Sequence, residues 1–532
     1  MSHEHHFSLR SAADIRQTLL AQQELALVDV REEAVYATGH PLFAVNLPLS
    51  KLEIELFSRI PRRSTPVVIY DDGEGLALPA AQLFHKLGYS DVSLLEGGLE
   101  SWRSAGEQLF IDVNSPSKAF GELVEHQRHT PSLSAQQVAE LVASGADVQI
   151  FDVRRYDEYQ TMNIPGSLSL PGGELLLRIR DLLSSEKTQV IINCAGRTRS
   201  IIGTQTLVNA GITNPVAALR NGTIGWTLAG QRLEHGQSRQ YGELSAENRG
   251  QSAQQAARVA EQAGVSHISL TQLREWQQQA DRTTYLFDIR SAEEYVAGHL
   301  PGARHVPGGQ LVQETDHYAS VRGARIVLVD DLYTRADITA SWLAQMNWQV
   351  AVLSGLDSSE FSERGEWRVP VAEVGQYPQI DARTAEQWLA AGGTKIFDFT
   401  TSANYVKGHI PGAGWVLRAD LPQLAEERAL PEAERYIVTC GSSLLARYSV
   451  GKLQQLTGKP VFLLEGGNAA WRAAGLPEER GESWLLSERK DRYRRPYEGT
   501  DIAPEAMQAY LDWEYGLVDQ LEKDATHGFT VI

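Results

Sequence analysis

Residues 191–200 read IINCAGRTRS. An apolar run typical of a buried β-strand ends at Cys194, and a short loop with two arginines follows it. Cys194 and Cys440 are the two cysteines of the 532-residue chain. The carboxyl end of a strand is where open α/β sheets place their ligands. The position of this rare thiol therefore raises the question of what the loop does.

The strand that ends at Cys194 belongs to a pattern that occurs four times. A first apolar segment containing Asp occurs as ALVDVR (26–31), QIFDVR (149–154), YLFDIR (285–290) and KIFDFT (395–400). A second occurs as VVIYDD (67–72), VIINCA (190–195), RIVLVDD (325–331) and YIVTCG (436–441). The same interval of 42 positions separates Asp29 from Asp71, Asp152 from Cys194, Asp288 from Asp330, and Asp398 from Cys440. Equal intervals predict four repeats of domain size.

A helical stretch follows each second strand and ends at a residue that accepts left-handed backbone geometry. These residues are Gly88, Gly211, Asn347 and Gly458. A further apolar strand then begins, as DVSLLEGG, NPVAALRNG, QVAVLSGL and PVFLLEGG. The alternation of strand, helix and strand predicts an α/β fold with a mainly parallel sheet in each repeat.

The composition restricts the class of protein. The chain is 42% hydrophobic and 22% charged, which is typical of a globular protein, and no apolar run is long enough to span a bilayer. The net charge of −18 argues against nucleic acid or an anionic membrane as the main partner. No secretory signal is recognisable at the start, and two distant cysteines form neither a disulfide framework nor a CxxC metal site. We therefore expect a cytoplasmic protein without a cofactor or metal.

The loop after the second strand has the features that stabilise a thiolate. Backbone N–H groups of a tight loop and the start of a helix both favour negative charge. Arg197 and Arg199 add positive charge after Cys194. A lone cysteine after a strand is more often a small buried hydrophobic residue. Here, however, both cysteines of the chain occupy the same position of the repeat, which favours a nucleophile.

The repeats resemble the rhodanese family of sulfurtransferases. The resemblance rests on the D-x-R strand ends, on EEYVAGHLPGA (293–303) and NYVKGHIPGA (404–413), on the cysteine loops, and on the L-E-G-G-x-x-x-W runs at 95–102 and 464–471. It implies four tandem modules, each with a small parallel five-stranded sheet flanked by helices. The implied bounds are 8–111, 132–236, 266–370 and 379–480, followed by a helical tail at 481–532.

The family's chemistry is transfer of a sulfane sulfur through a cysteine persulfide. Carried over to this chain, Cys194 and Cys440 are the nucleophiles. Thiosulfate is then the donor, and cyanide or a thiol is the acceptor. Asp71 and Asp330 hold the equivalent positions in modules 1 and 3, which we therefore expect to be inactive. In the family, inactive modules pair with active ones, so we expect the pairs 1 with 2 and 3 with 4. The oligomeric state stays open.

The two cysteine loops differ in charge. The residues that follow Cys194 are Ala195, Gly196, Arg197, Thr198, Arg199 and Ser200, and this basic loop suits the dianion thiosulfate. The residues that follow Cys440 are uncharged: Gly441, Ser442, Ser443, Leu444 and Leu445. The second loop resembles that of mercaptopyruvate-using relatives but departs from their pattern at its last three residues. Arg178 is a further candidate for anion binding, with a solvated helix face as the alternative.

Other repeated residues are interpreted as structural. Asp152, Arg154, Asp288 and Arg290 occur beside active and inactive loops alike. His299 and His409 are unlikely bases, because module 2 keeps its cysteine with Asn163 at their position. Trp102, Trp226 and Trp471 are expected in the core.

The tail and two further functions remain open. PEAMQAYLDWEYGLVDQLEKD is expected to form a helix, beginning near Pro504, that docks on the modules or serves as a partner-binding arm or a lid. A phosphatase or arsenate reductase requires Arg six positions after the cysteine, where this chain has Ser200 and Ala446. A non-enzymatic sulfur carrier or sensor scaffold is the remaining alternative.

Overall fold

A computed structural model describes residues 5–532, and within them the chain forms four α/β modules in tandem. Module 1 contains β1 (Ser8–Arg10), β2 (Ala26–Asp29), β3 (Ala44–Asn46), β4 (Val67–Tyr70) and β5 (Val92–Leu95). Module 2 contains β6 (Ser132–Leu133), β7 (Val148–Asp152), β8 (Leu168–Ser169), β9 (Gln189–Asn193) and β10 (Val216–Leu219). Module 3 contains β11 (Ser266–Ile268), β12 (Thr284–Asp288), β13 (Arg304–His305), β14 (Arg325–Val329) and β15 (Gln349–Leu353). Module 4 contains β16 (Gln379–Ile380), β17 (Thr394–Asp398), β18 (Gly414–Trp415), β19 (Arg435–Thr439) and β20 (Val461–Leu464).

Helices cover both faces of each sheet. Module 1 contains α1 (Ala12–Leu20), α2 (Glu33–Tyr36), α3 (Leu52–Arg59), α4 (Ala77–Lys86) and α5 (Gly98–Ser104), and α6 (Ser115–Arg128) follows it. Module 2 contains α7 (Ala135–Ala143), α8 (Tyr156–Thr161), α9 (Leu175–Arg178), α10 (Thr198–Ala210) and α11 (Gly222–Leu228), and α12 (Ala246–Gln262) follows it. Module 3 contains α13 (Leu270–Gln278), α14 (Ala292–Ala297), α15 (Gly308–Gln313), α16 (Thr315–Tyr318) and α17 (Thr334–Gln345).

Module 4 and the tail complete the chain. Module 4 contains α18 (Ala382–Ala391), α19 (Ser402–Lys407), α20 (Leu421–Glu426), α21 (Val450–Thr457) and α22 (Gly467–Ala473). The tail contains α23 (Pro504–Tyr515) and α24 (Leu517–Asp524). Short 3₁₀ helices lie at Leu49–Lys51, Gly172–Glu174, Ile179–Leu182, Ser358–Glu360, Arg418–Asp420 and Ala446–Ser449. The tail helix expected from the sequence is thus two helices, because Gly516 separates them.

The predicted parallel sheet is confirmed in all four modules. Module 2 has the strand order β6-β10-β9-β7-β8, the other modules have the equivalent order, and all pairs are parallel. β9 is therefore central, and Asn193 at its end lies beside Asp152 at the end of β7. The helix ends were also predicted correctly, since Gly88, Gly211, Asn347 and Gly458 all have left-handed backbone. No helix of residues 5–532 is long and apolar enough to cross a membrane.

The D-x-R strand ends form buried ion pairs, as expected of a structural element. Asp152 accepts hydrogen bonds from Arg154 Nε at 3.0 Å and Nη2 at 2.8 Å, and Arg154 Nη2 also donates to the carbonyl of Met162. Asp288 and Arg290 repeat this geometry. A half-satisfied buried charge is costly, so these paired groups hold the turn after the strand in one conformation.

The repeated aromatic residues are core residues, as expected. Trp102, Trp226 and Trp471 are all buried. The rings of His299 and His409 are buried and stack on Tyr295 and Tyr405, with ring centroids 3.8 and 3.7 Å apart. These contacts give both histidines a packing role in the fold.

The pairing of modules differs from the expectation. Modules 2 and 3 face each other through equivalent segments, Gly172–Gly173 and Gly308–Gly309, and Arg335 of module 3 forms a 2.9 Å ion pair with Glu174 of module 2. Modules 1 and 4 face each other through the equivalent 3₁₀ helices, Leu49–Lys51 and Arg418–Asp420. At this contact Arg418 forms a 2.9 Å ion pair with Glu53. The expected pairs 1 with 2 and 3 with 4 are therefore wrong. Each cysteine module is still paired with a module that has Asp in its loop.

The residues of the contact segments explain why modules 2 and 3 pair. Both glycine pairs lack side chains, so the backbones of modules 2 and 3 approach closely. A Cβ on Gly309 would lie 3.1 Å from the backbone nitrogen of Gly173. Modules 1, 2 and 3 also share one hydrophobic core with α6, α12 and the tail, whereas module 4 has cores of its own.

Replacing Gly309 by Ala tests this contact. The added methyl group meets backbone rather than a flexible side chain, so we expect a loss of about 1–3 kcal/mol in the free energy of unfolding. Gly250→Ala is the matched control, because Gly250 lies in α12 with open space around it and should gain up to about 1 kcal/mol. Urea unfolding of the full chain measures both. Equal effects of the two substitutions would contradict the proposed close approach.

Candidate active site

Cys194 lies where β9 ends and its loop begins. The side chain is 1% exposed, and its Sγ lies 3.4 Å from the hydroxyl of Ser200 in the first turn of α10. Burial raises the pKa of the Cys194 thiol. The charge of Arg199 and the hydroxyl and backbone N–H of Ser200 act in the opposite direction and favour the thiolate.

The Asp-containing loops show what this backbone does with a negative charge. The carboxylate of Asp71 accepts hydrogen bonds from the backbone N–H groups of Gly73, Leu76 and Ala77, at 3.1, 2.6 and 2.9 Å. Asp330 accepts from the N–H groups of Leu332 and Ala336, both at 3.1 Å. The loop therefore forms a nest of backbone donors around the side chain of its first residue.

The same nest surrounds both cysteines. The N–H of the sixth residue after the loop's first position faces that side chain in every module: Ala77, Ser200, Ala336 and Ala446. In module 4 the N–H groups of Ser443 and Leu445 also face the thiol of Cys440, although burial raises its pKa overall. An anion on either sulfur would thus meet preorganised donors.

Arg199 is the cation whose charge favours the Cys194 thiolate. It is held by Glu158 through two hydrogen bonds, at 2.8 and 3.1 Å. Burial opposes ionisation of Glu158, but the charge of Arg199 lowers the pKa of Glu158 to about 2. Because the guanidinium is fixed by this carboxylate, its remaining surface is free to attract negative charge at the sulfur.

Module 3 contains the same arrangement with an anion in place. Arg335 occupies the position equivalent to Arg199, and Glu294 occupies the position equivalent to Glu158. Nη2 of Arg335 lies 2.9 Å from the Asp330 carboxylate and also binds Glu294. Asp330 therefore shows where a negative group sits when both the nest and the arginine hold it.

The guanidinium of Arg197 lies between carboxylates of α6 and the tail. Its guanidinium binds Glu122 at 2.6 Å and Glu125 at 2.5 Å, and it stacks 4.2 Å from the ring of Tyr515. Two carboxylates neutralise its charge, so Arg197 joins the loop to α6 and to the tail. The sequence could not distinguish the two arginines, because only the packing of α6 decides which one binds two carboxylates.

Arg178 and the remaining loop residues occupy different surroundings. Arg178 Nε donates to Glu174 at 2.7 Å, and its guanidinium lies over the ring of Tyr241. Ala195 and Thr198 are buried. Gly196 faces the tail, since a Cβ on it would lie 3.1 Å from the ring of Tyr510 and 3.4 Å from Oε2 of Glu514. Of the roles considered for the tail, this placement agrees with a helix that docks on the modules, and the docked helix covers the Cys194 loop.

The Cys440 loop has an apolar side chain at the position that a cation occupies in module 2. Leu445 is buried where module 2 has Arg199. Ser443 adopts a left-handed backbone and donates its hydroxyl to the carbonyl of Leu464 at 2.6 Å. Ser442 accepts a hydrogen bond from the N–H of Leu444. Together with Gly441, these uncharged residues form the nest around the sulfur.

Glycines after the last strand hold both loops, and sequence reasoning missed this role. A Cβ on Gly222 would lie 2.3 Å from the carbonyl oxygen of Cys194, and one on Gly467 would lie 2.3 Å from that of Cys440. The next residue, Thr223 or Asn468, donates its N–H to the same carbonyl, at 3.0 or 2.9 Å. In the sequence, the repeated pairs Asn221-Gly222 and Gly466-Gly467 could have indicated this role.

A cavity of about 1000 Å³ lies among the modules and the tail, and module 4 contributes Lys407 to its wall. Arg199 and Glu158 belong to its wall, together with Arg154, Arg290 and Arg495. The Cys194 sulfur itself is shielded, so Arg199 connects this chamber with the nucleophile.

Comparison with known proteins agrees with this architecture. The rhodanese-like domain profile matches residues 11–105, 134–229, 269–355 and 381–474, and the chain belongs to this family. A crystal structure of thiosulfate sulfurtransferase from Pseudomonas aeruginosa is 63% identical, covers 99% of this chain and 100% of its own, and superposes with a TM-score of 0.97.

Two curated relatives are more distant. Thiosulfate sulfurtransferase of Azotobacter vinelandii is 28% identical over 178 residues, or 30% of this chain. An uncharacterised protein of Synechocystis is 32% identical over 100 residues, or 19% of this chain. The chain spans 63% and 55% of the lengths of these two proteins.

Gly222→Ala tests the contact with the Cys194 carbonyl. Its matched control is Gly211→Ala, because both glycines have left-handed backbone but only Gly222 has a neighbour within 4 Å. Both variants should lose about 1–2 kcal/mol through backbone strain, and Gly222→Ala should lose roughly 1–3 kcal/mol more through the clash. Chemical denaturation measures both losses. If the two are equal, the glycine does not hold the loop by close approach.

Proposed function

We propose that this protein is a thiosulfate sulfurtransferase that uses Cys194 as its nucleophile. The observation that carries the proposal is the shared geometry of modules 2 and 3, in which a nest and an arginine surround one side chain. In module 3 that side chain is a carboxylate, and in module 2 it is a thiol. The match to the Pseudomonas aeruginosa enzyme over the whole chain supports the same reaction.

The reaction takes two steps through a covalent intermediate. The Cys194 thiolate attacks the outer sulfur of thiosulfate, a sulfur–sulfur bond forms to the enzyme, and the original bond breaks with its electron pair leaving on sulfite. Cys194 then carries a persulfide anion. A thiophilic acceptor such as cyanide attacks the outer sulfur, thiocyanate leaves, and the thiolate is restored. Charge is conserved in each step, and no oxidant is consumed.

The surrounding groups act on the negative charge of each species. The N–H of Ser200 and the other donors of the nest stabilise the thiolate and the persulfide. Arg199, fixed by Glu158, attracts the dianionic donor and the departing sulfite. Ala195, Gly196 and Thr198 provide backbone of the loop, and Arg197 holds that loop against α6. The large cavity ends at Arg199, so donor and acceptor reach the sulfur from it only when the groups that shield Cys194 move aside.

Module 4 has the same nest but lacks the cation. With Leu445 at the position of Arg199, the Cys440 site favours a donor of lower charge, such as a 3-mercaptopyruvate-type thiol acid. Modules 1 and 3 serve as inactive partners of modules 4 and 2, because a carboxylate cannot form a persulfide. Both cysteines are free thiols, which suits a reducing cytoplasm.

Serine variants of the two cysteines test the assignment. Cys194→Ser should abolish thiosulfate:cyanide turnover and the adduct of about 32 Da that one covalent sulfur adds. Cys440→Ser should retain both, since its loop has no cation. Intact mass before and after thiosulfate, together with thiocyanate release, measures them. An adduct that forms without turnover would favour the sulfur-carrier alternative, and its persistence in Cys194→Ser would move the site elsewhere.

Arg199→Met tests the role of the fixed arginine. Loss of a charged hydrogen bond costs about 1.5–3 kcal/mol, so kcat/KM for thiosulfate should fall on the order of 10- to 100-fold. Arg178→Met is the matched control. Its guanidinium is engaged by Glu174 and Tyr241, so we expect kcat/KM to stay near the wild-type value. A fall only in Arg178→Met would reverse the two roles.

A further inference from the structure

The tail places a buried carboxyl group against the Cys194 loop. Glu514, near the end of α23, is fully buried. Its Oε1 accepts a hydrogen bond from the hydroxyl of Tyr510 at 2.8 Å, and its Oε2 has no hydrogen-bond partner in the described part of the chain. Oε2 points toward Gly196, since a Cβ on that glycine would lie 3.4 Å from it. A buried polar atom without a partner in this position is available to form a hydrogen bond with a ligand that binds at the loop.

The cations near Glu514 are engaged by other carboxylates. Lys118, from α6, binds Asp112 at 2.7 Å. Arg197, from the loop, binds Glu122 at 2.6 Å. The hydroxyls of Tyr510 and Tyr497, the carboxylate of Glu122 and the thiol of Cys194 also lie around this cluster. Among residues 5–532, Glu514 is therefore a buried acid without an ion-pair partner of its own.

These surroundings favour the neutral acid. Burial raises the pKa of Glu514 to about 8, and the charge of Glu122 acts in the same direction. The group therefore changes charge in a range where enzymes operate. Its charge also reaches the nucleophile, because ionised Glu514 raises the pKa of the Cys194 thiol.

We propose that Glu514 is a specificity-determining residue of the Cys194 site, admitting an anionic sulfur donor as a neutral acid and rejecting it as a carboxylate. This inference rests on the proposed sulfurtransferase function and names a residue beyond its loop. As an acid, Glu514 donates its O–H to an oxygen of the donor. As a carboxylate, it repels the dianion and disfavours the thiolate, so both effects suppress the reaction at alkaline pH.

A purely structural role predicts something different. Glu514 also packs α23 on the loop through Tyr510, and a helix anchor of this kind gives no titration in the reaction rate. Glu514→Gln keeps the size of the side chain and an acceptor for the Tyr510 hydroxyl but cannot ionise. Asp512→Asn is the matched control, because it removes one exposed carboxylate from the same helix.

The test is the rate of persulfide formation on Cys194 of the full chain from pH 6 to 10, followed by mass. Omitting cyanide removes its own protonation from the result. In Glu514→Gln the second-order rate constant should rise with pH as the Cys194 thiol ionises. Relative to that variant, the rate constant of the wild type and of Asp512→Asn should fall by about tenfold for each pH unit above roughly pH 8. With an alkyl thiosulfonate, which has one negative charge, this relative fall should be smaller.

The outcomes separate the two claims. The same pH dependence of the rate constant in Glu514→Gln as in the wild type would overturn the role of Glu514 and leave the proposed function intact. Absence of any adduct on wild-type Cys194 at every pH would overturn both. A second measurement needs no Glu514 variant: calorimetry of thiosulfate binding to Cys194→Ser at pH 8.5, in two buffers of different ionisation enthalpy. Proton uptake on binding supports the inference, and its absence contradicts it.

Discussion

The structure depends on one local constraint, the nest of backbone N–H groups at the end of the central strand of each module. The first residue of the loop directly follows the central strand of the sheet. The next helix begins with its free backbone N–H groups turned toward that residue. A single negative charge is stabilised there whichever side chain bears it. Asp71 and Asp330 occupy the nest with a carboxylate in modules 1 and 3, and thiols occupy it in modules 2 and 4. The choice of Cys or Asp as the first residue of the loop thus decides whether a module is a candidate catalyst or a scaffold, and the fold is the same in both cases.

The second determinant is the way in which modules bury one another. Equivalent segments meet in pairs, and the residues in those segments decide which pairs form. Gly173 meets Gly309 because neither has a side chain, whereas Arg418 meets Glu53 because their charges are opposite. As a result, Arg335 of a module with Asp in its loop binds Glu174 of a module with Cys in its loop. The Asp-containing modules therefore contribute to the neighbouring framework by packing and ion pairing.

The tail adds an element that no single module contains. It returns to modules 1 and 2, shares their hydrophobic core, and covers the loop of Cys194 but not that of Cys440. The two cysteines consequently have different surroundings: one lies beneath Tyr510 and Glu514 next to a fixed arginine, and the other lies in an apolar nest. This asymmetry, rather than the loops alone, separates the two sites.

The sequence by itself determined the fold class, the fourfold repeat and the position of both thiols. These follow from local rules, namely the period of apolar residues, the helix ends at Gly or Asn, and an interval that recurs unchanged. The sequence also identified the D-x-R pairs, because both partners are two residues apart. Only the tertiary structure decided that Arg199 rather than Arg197 faces the thiol, that modules 2 and 3 pair, and that Glu514 covers the loop. Each of these depends on contacts between residues far apart in the chain, and such contacts are set by the packing of whole elements, which leaves no periodic trace in the sequence.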